Sequence, residues 1–473
     1  MTKKTRIILV KHFLSTERII LVMSHDTSLQ HLLPPPDQTK ELLGQFLHDA
    51  ACDLAASSTA LKKRGRPFQV SWLLLSLGCL WCLLRGWTSQ LDLWRLISGF
   101  GLGPFAPVAV VDQAIYNRLQ EKGSWMMQQL CAQMTQWLGT RMIPYEDRSL
   151  ASFASEVLAL DESTLDALKR WVPDLQGLPA GHSQLLAGRL SCLFDIRRQQ
   201  WKRIDLLPNA VANCQAHAKE MVKSVRKGAL LLFDLGYYNY AWFDSLTNAG
   251  IWWVSRVRSN GSWSMEHILV QRDGYFEALV FMGKYRSDRC QHLVRLVRYR
   301  YRGIWYTYIC NIWDPRMLSG ADIVRLYARR WDIELGFRVL KDYLQMRFMI
   351  SSKPEVLGAQ IWGSVLLAQL LHALHVRVAA EAGVDLFDVS LELLIRYLPT
   401  CLAHGIDIGQ VIQEKGRALG FVRPSTRTRH ELPHISWHEV TWPPVDLQWM
   451  QKPRYAVDAD PNRRGSSSKK KKE

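Results

Sequence analysis

Three things are scarce in this chain, and each scarcity excludes a class of protein. Negative charge is the first: 43 Asp and Glu stand against 60 Lys and Arg, for a formal net charge of +17 and a pI of about 9.5. That balance argues for a polyanionic partner, nucleic acid ahead of an acidic membrane surface. Ordered cysteine is the second. Cys52, Cys79, Cys82, Cys131, Cys192, Cys214, Cys290, Cys310 and Cys401 are odd in number and follow no framework spacing. This pattern fits reduced thiols in a cytoplasmic protein and not a disulfide-stapled secreted one. The Cys-x-x-Cys at Cys79-Leu80-Trp81-Cys82 lies in an apolar run without a second ligand pair, so it reads as core and not as a zinc or redox site. Long apolar runs are the third. A membrane span needs about 20 apolar residues, whereas residues 68–84 are broken by Ser71, Ser76 and Gly78, and residues 361–371 are shorter still. Residues 7–22 are interrupted by Lys11, Glu17 and Arg18 with no small-residue cleavage site after them, so neither a signal peptide nor a membrane protein is expected.

What is present is a globular composition: 473 residues, 48% apolar and 22% charged, with 19 Trp. That length supports two to four domains and a substantial core. Residues 1–40 read as a flexible arm ending at Pro34-Pro35-Pro36. Residues 41–150 read as a helical DNA-binding domain. Asp112 or Gln113 caps a helix through Ile115, Tyr116, Arg118 and Leu119, and residues 89–97 form a shorter helix before it. Such a pair either enters a DNA groove or packs as a plain bundle, and the pattern does not choose between the two. The character changes at residues 151–261. Val157-Leu158-Ala159-Leu160 leads into Asp161, and Leu230-Leu231-Leu232-Phe233 leads into Asp234. Strands are also expected at 190–195, 201–206 and 251–254, with helices at 216–225 and 240–248. Apolar strands without alternation, mixed with helices, predict an α/β fold with a central sheet covered by helices. Residues 262–314 alternate instead, with turns at Arg272-Asp273-Gly274 and Arg302-Gly303, which predicts an antiparallel β insertion. Arg298 and Arg300, with Arg302 at the turn, share one strand face; they either track a phosphate backbone or form a solvated edge. Helices are expected again at 360–380, 390–398 and 408–419 within a C-terminal helical region, 356–445. Residues 446–473, with Arg463, Arg464 and Lys469 to Lys472, read as a disordered basic tail.

The chemistry concentrates in one helix, opened by a capping box at Ser319 and Asp322. Tyr327, Arg330, Glu334 and Lys341 stand at offsets that fall within an arc of about 60° on a continuous helix. Asp161 and Asp234 each follow a buried strand, where a carboxylate is costly unless it is paired or holds a cation. With Glu334 they make a set of three that can hold two divalent ions, and Mg²⁺ suits so sparse a ligand set. Arg330 and Lys341 would then bind neighbouring phosphates, with Tyr327 donating a hydrogen bond. Glu162 or Asp166 competes with Asp161 for the first position, and Asp195 is a rival ligand that reads better as a turn residue. The competing account of Glu334 is an ordinary helical ion pair with Arg330 or Arg338.

Those residues resemble a known family, the DDE transposases of the bacterial insertion sequence four family. Its signature Tyr-x₂-Arg-x₃-Glu-x₆-Lys matches Tyr327, Arg330, Glu334 and Lys341 without a gap. Asp234-Leu235-Gly236-Tyr237-Tyr238 resembles the second Asp block, with Leu235 where the family often has Arg. Trp253-Val254-Ser255-Arg256-Val257 resembles the segment after it, with its basic residue at Arg256, and Asp161-Glu162-Ser163-Thr164 resembles the first Asp block. The resemblance covers roughly residues 155–350. It implies a ribonuclease-H-like core built from 151–261 and 315–355, with the β insertion 262–314 between the second Asp and the Glu. It also implies Asp161, Asp234 and Glu334 as catalytic metal ligands for Mg²⁺, with Mn²⁺ as substitute, and Tyr327, Arg330, Lys341, Arg256, Arg298 and Arg300 as DNA contacts. The implied activity is cut-and-paste movement of a DNA element through hairpin-ended intermediates, on terminal inverted repeats and target duplex, by a homodimer in the DNA complex. Some such enzymes flip a base onto an aromatic ring; Trp252, Trp253, Trp263, Trp305 and Trp313 are candidates, Trp313 and Trp263 first because they flank the insertion. A metal nuclease without strand transfer and a non-catalytic DNA binder are the alternatives, and the intact Asp, Asp, Glu set disfavours the second.

Overall fold

The computed structural model describes residues 36–59, 69–103, 105–142, 145–164, 189–207, 214–286, 289–351, 353–425 and 435–451. Residues 1–35, Asp166 and the basic residues of the tail lie outside them.

Among the described residues the first α-helices are α1 (Pro36–Thr59), α2 (Trp72–Leu84), α3 (Gln90–Arg95) and α4 (Asp112–Trp137). The apolar run that forms α2 is capped by Ser71, whose hydroxyl accepts from Leu74 N at 3.1 Å, and is buried along most of its length. A helix that is apolar all round belongs inside a core, and this one packs against the long helix α9 (Pro354–Ala382), which also lies along α4. Both thiols of the Cys-x-x-Cys sit in this core, and burial pushes Cys79 well up and Cys82 up to about 12. Ser89 and Asp92 form a reciprocal capping box at the start of α3. Arg118 of α4 lies 3.5 Å over the Trp72 ring and is buried there, which accounts for one basic residue of the expected groove-binding helix as packing.

One mixed nine-stranded sheet follows, in the order β3-β2-β1-β4-β5-β9-β8-β7-β6. Its strands are β1 (Val157–Thr164), β2 (Arg189–Asp195), β3 (Gln200–Leu207), β4 (Leu230–Phe233), β5 (Trp252–Arg256), β6 (Trp263–Arg272), β7 (Tyr275–Met282), β8 (Val294–Tyr301) and β9 (Ile304–Cys310). β1, β4 and β5 run parallel at the centre, fully buried over Val157 to Leu160 and Leu230 to Phe233, as expected of apolar strands covered on both faces. Two helices, α5 (Cys214–Val222) and α6 (Tyr240–Asn248), make the crossovers. The antiparallel strands of 262–314 do not form a separate unit. β9 pairs with β5 through Val254↔Cys310, Ser255↔Ile309 and Arg256↔Tyr308, so the insertion extends the central sheet. Its β8–β9 hairpin turns on Arg302 and Gly303, both at positive φ (49° and 79°), the backbone that a two-residue turn matched to strand twist requires.

The helix pair α7 (Gly320–Arg329) and α8 (Trp331–Arg338) returns the chain to the sheet, followed by α9, α10 (Leu391–Ala403) and α11 (Ile408–Lys415). α9 is long and apolar enough to cross a membrane, but most of it is buried inside the fold. Residues 435–451 lace over the insertion: Thr441 N donates to Leu269 O (2.8 Å), Leu293 N to Trp449 O (3.0 Å) and Gln451 N to Gln291 O (2.9 Å). Residues 446–451, expected from sequence to begin the disordered tail, are therefore tied to the sheet by backbone bonds.

α9 also buries two imidazoles. Burial, with His375 beside it, pushes His372 down to about 3, and burial pushes His375 down to about 4 against a hydrogen bond to the Val389 carbonyl. In the unfolded chain each takes a proton near pH 6.5, so their contribution to stability is full above that pH and is lost as pH falls through about 4. Asp161 and Asp195, pushed up to about 6 mainly by burial, act in the opposite sense over the same window. The comparison must therefore be with a variant. The Tm of His372→Leu is expected to fall less than that of the wild type between about pH 7 and pH 5; parallel curves would show that His372 does not carry this linkage.

Candidate active site

Asp161 and Asp234 arrive side by side because their strands are hydrogen-bonded neighbours. Leu160 pairs with Phe233 in the parallel β1–β4 ladder, and each Asp is the next residue. β1 continues past Asp161 as far as Thr164, but burial stops at Asp161. Asp234 is exposed and leaves the sheet; its Oδ1 accepts from Leu235 N at 2.5 Å and caps a single 3₁₀ turn. Neighbouring strands lie about 4.8 Å apart, so the two carboxylates start from adjacent positions, and Asp234 is the smallest of the charges that push Asp161 up.

The third carboxylate comes from the helical segment, which is not the one regular helix expected from sequence. α7 ends at Arg329. Arg330 N reaches Tyr327 O at 3.1 Å in a tight step, α8 follows, and the chain then widens into a π turn (Val339–Tyr343) that carries Lys341. The Arg330 backbone stays helical through the step (φ −54°, ψ −31°), so Tyr327, Arg330 and Glu334 still act together. Arg330 is buried, and its guanidinium lies between two carboxylates: Nη2 donates to Glu334 Oε1 at 2.6 Å, and Nη1 stands 3.5 Å from Asp161 Oδ2. Its Nε and Nη1 find no hydrogen-bond acceptor. Buried donors of this kind ordinarily have a partner.

The titration of Asp161 registers the convergence. Burial pushes it up to about 6; Glu334 and Asp234 push the same way, while the Glu162 amide and Arg330 oppose them. Tyr327 is pushed up to about 12, again mainly by burial, with Arg330 and Arg256 opposing and Asp234 reinforcing. The Tyr327 hydroxyl lies 3.5 Å from the carbonyl of Phe233, the residue before Asp234. Lys341 is close enough to Cys192, which pairs with Asp161 across β1–β2, to oppose the burial that raises that thiol. Arg256 is exposed at the end of β5, 5.9 Å from the Tyr306 ring. The rivals are spoken for. Glu162 is paired with Arg189 at 2.8 Å, and Asp195 accepts the turn amide of Arg198 at 3.0 Å.

The gripping cluster expected from sequence is not formed. Among the described residues, no group of three or more His, Cys, Asp or Glu is placed to hold a metal ion. The place between two of the three carboxylates is taken by the Arg330 guanidinium, 2.6 Å from Glu334 and 3.5 Å from Asp161. The donor chemistry nevertheless fits a hard divalent ion: Asp161, Asp234 and Glu334 offer carboxylate oxygens.

Arg298 and Arg300 fall on the other face of the sheet. Arg256 pairs with Tyr308 and Val297 with Tyr308, whereas Arg298 pairs with the alternate residue Thr307. There Arg298 lies between Trp305 (5.0 Å) and Trp263 (6.0 Å), its Nε buried without an acceptor, and Arg300 is paired with Asp273. Of the other tryptophans, Trp253 is stacked on Phe243 in the core at 4.4 Å, Trp252 packs on Phe153, and Trp313 leans on Trp449. Sequence reasoning missed the aromatic run Tyr306–Tyr299–Tyr308–Tyr327 (5.3, 6.2 and 5.2 Å between successive rings) that joins the insertion to the catalytic segment. The alternation of β8 and β9 was the available signal.

Residues 189–371 match the family described as Transposase DDE domain, a span that includes Asp234 and Glu334 but not Asp161. The chain is 24% identical over 229 residues to a protein named putative transposase y4zB of Sinorhizobium fredii, covering 46% of this chain and 58% of that one. It is 23% identical over 173 residues to the transposase InsG for insertion sequence element IS4 of Escherichia coli, covering 34% and 38%. The matches thus span less than two thirds of either relative. A cryo-EM structure of the piggyBac transposase synaptic complex with hairpin DNA aligns over 87% of each chain at 10% identity with a TM-score of 0.36, too low to carry an argument. The chain is homologous to the DDE transposases, the transposase of that Escherichia coli insertion sequence among them.

The central electrostatic contact is testable alone. Arg330→Gln removes the cation nearest Asp161, so the Asp161 carboxyl is expected to titrate above its present value of about 6, read from carboxyl-¹³C aspartate shifts. A lower or unchanged midpoint would mean that Arg330 does not serve Asp161.

Proposed function

We propose that this protein is a DDE transposase that cleaves and joins DNA at the ends of a mobile element, on a ribonuclease-H-like core formed by β1–β5 and the α7–α8 segment. The observation that carries the reading is the buried Arg330 guanidinium, held to Glu334 by a 2.6 Å bond through Nη2 and to Asp161 only by a 3.5 Å ion pair through Nη1, with Nε in no hydrogen bond. A phosphodiester oxygen is the natural acceptor for such donors. The homology supports the same conclusion.

In this reading Asp161, Asp234 and Glu334 hold Mg²⁺, with Mn²⁺ as substitute. The bound ions supply Lewis acidity that lowers the pKa of an attacking water or 3′-hydroxyl and offsets charge at the leaving oxygen. The chain's own groups do the rest. Arg330 anchors the reacting phosphate through Nε and Nη1, and Lys341 takes an adjacent one. Tyr327 braces the end of β4 through the Phe233 carbonyl and so fixes where Asp234 leaves the sheet. Arg256, exposed at the site's rim, meets the duplex backbone. On the opposite sheet face Arg298, Arg300 and the exposed Trp305 form a cationic aromatic surface for a second stretch of DNA. Joining two element ends calls for two active sites, so a homodimer forms on DNA, in the cytoplasm where the nucleoid lies.

Two measurements test this. With duplex DNA carrying the sequences that flank the coding region, Asp234→Asn is expected to lose Mg²⁺-dependent cleavage by at least about 10³-fold while DNA binding is retained. Retained cleavage would remove Asp234 from the site, and cleavage without joining would leave a metal-dependent endonuclease in place of a transposase. DNA affinity should also fall steeply with salt. Arg256→Gln is expected to reduce the slope of log K against log[salt] by about 1; an unchanged slope would place Arg256 off the DNA.

A further inference from the structure

The insertion hides an ion pair that the chemistry just described does not use. Arg295 of β8 and Glu277 of β7 are essentially inaccessible to solvent. Arg295 Nε and Nη2 both donate to Glu277 Oε2, at 2.8 and 2.5 Å, and the Tyr275 hydroxyl donates to Glu277 Oε1. The third guanidinium nitrogen leaves the sheet: Nη1 donates to the Leu318 carbonyl at 2.6 Å. Leu318 precedes Ser319, the N-cap of α7. Gly320, the first residue of α7, sits directly on the pair. A Cβ there would lie 1.8 Å from the Tyr275 hydroxyl and 2.5 Å from Glu277 Oε1.

Burying two charges gains little over apolar residues of the same size, and a sheet face needs only apolar side chains to pack. What the pair adds is a directional contact to the start of one helix. We infer that Arg295, Glu277 and Tyr275 are positioning residues that seat the N-terminus of α7 on the insertion and thereby set where Arg330 and Glu334 stand; the inference rests on the proposed role of those two residues. α7 is the lever. Gly320 to Arg330 spans about 15 Å at 1.5 Å per residue, so a tilt of about 4° at the seat moves Arg330, and the start of α8 with it, by roughly 1 Å, a displacement that costs on the order of 10²-fold in rate. The segment is held a second time where Tyr308 meets Tyr327 edge-on at 5.2 Å. Arg295, Tyr299 and Tyr308 share the sheet face that looks onto the catalytic segment, while Arg298 and Arg300 of the same β8 occupy the opposite face. One strand therefore carries cations for DNA on one side and the seat of the catalytic helix on the other.

The test separates seating from stability. Either single replacement, Arg295→Met or Glu277→Leu, leaves a buried charge unpaired and is expected to lower Tm sharply. The double variant Arg295→Met/Glu277→Leu removes both charges and recovers most of the Tm but not the bond to Leu318. With the full chain and the flanking-sequence duplex in Mg²⁺, the double variant should lose kcat by about 10²-fold with KM for DNA unchanged. Backbone amides of 320–334 should exchange hydrogen faster than in the wild type. Gly320→Ala, which lifts the helix and keeps both charges, should lose kcat in the same way, and adding Tyr275→Phe should recover part of it. Wild-type kcat and unchanged exchange in the double variant, or an unaffected Gly320→Ala, would overturn the inference. A wild-type chain that cleaves no DNA would instead overturn the proposed function, and exchange at 320–334 alone would then decide whether the network seats the helix.

Discussion

One buried cation organises the part of this molecule that carries Asp161 and Glu334. Arg330 stands at a tight step between two helices, lies against Asp161 from the sheet through Nη1 and Glu334 from the following helix through Nη2, and leaves Nε without a hydrogen bond. Without that guanidinium, three carboxylates on converging elements would repel, and their desolvation would have no counterweight. With it Asp161 and Glu334 share one cation, while burial still pushes the Asp161 carboxyl up to about 6.

The sheet explains how so spread a set of residues meets. Two parallel neighbours, β1 and β4, deliver Asp161 and Asp234 in register. The insertion joins the same sheet through β5 and β9 and lays an aromatic run, Tyr306 to Tyr327, across the approach to the catalytic segment. Movement in the insertion therefore meets the helix that bears Glu334 at two points, the Leu318–Gly320 seat and the Tyr308–Tyr327 contact.

Local signals were the legible part of the sequence. Four apolar residues followed by Asp marked both central strands, because a strand buried on both faces must be continuously apolar and must stop being so where its side chain reaches the cleft. The hairpin turns, the helix at 240–248 and the capping of the catalytic segment by Ser319 were readable for the same reason. Illegible were features set by partners distant in sequence. Nothing near Arg330 announces the tight step or the π turn that displaces Lys341, since both arise from packing. Nothing near Arg295 distinguishes a buried arginine from Arg298 and Arg300 except strand phase, and phase becomes a face only when the neighbouring strands are known. The expected three-carboxylate grip also ran ahead of the structure, because spacing along the chain does not reveal that a guanidinium lies between the ligands.

The claim that these carboxylates form a divalent-ion site beside Arg330 is tested most directly by calorimetric titration of the full chain with Mn²⁺ in two buffers of different ionisation heat. Binding with release of protons near pH 6, a release that disappears near pH 8 and is lost together with affinity in Asp161→Asn, is the predicted result. Equal Mn²⁺ binding and equal proton release in the wild type and in Asp161→Asn would contradict it.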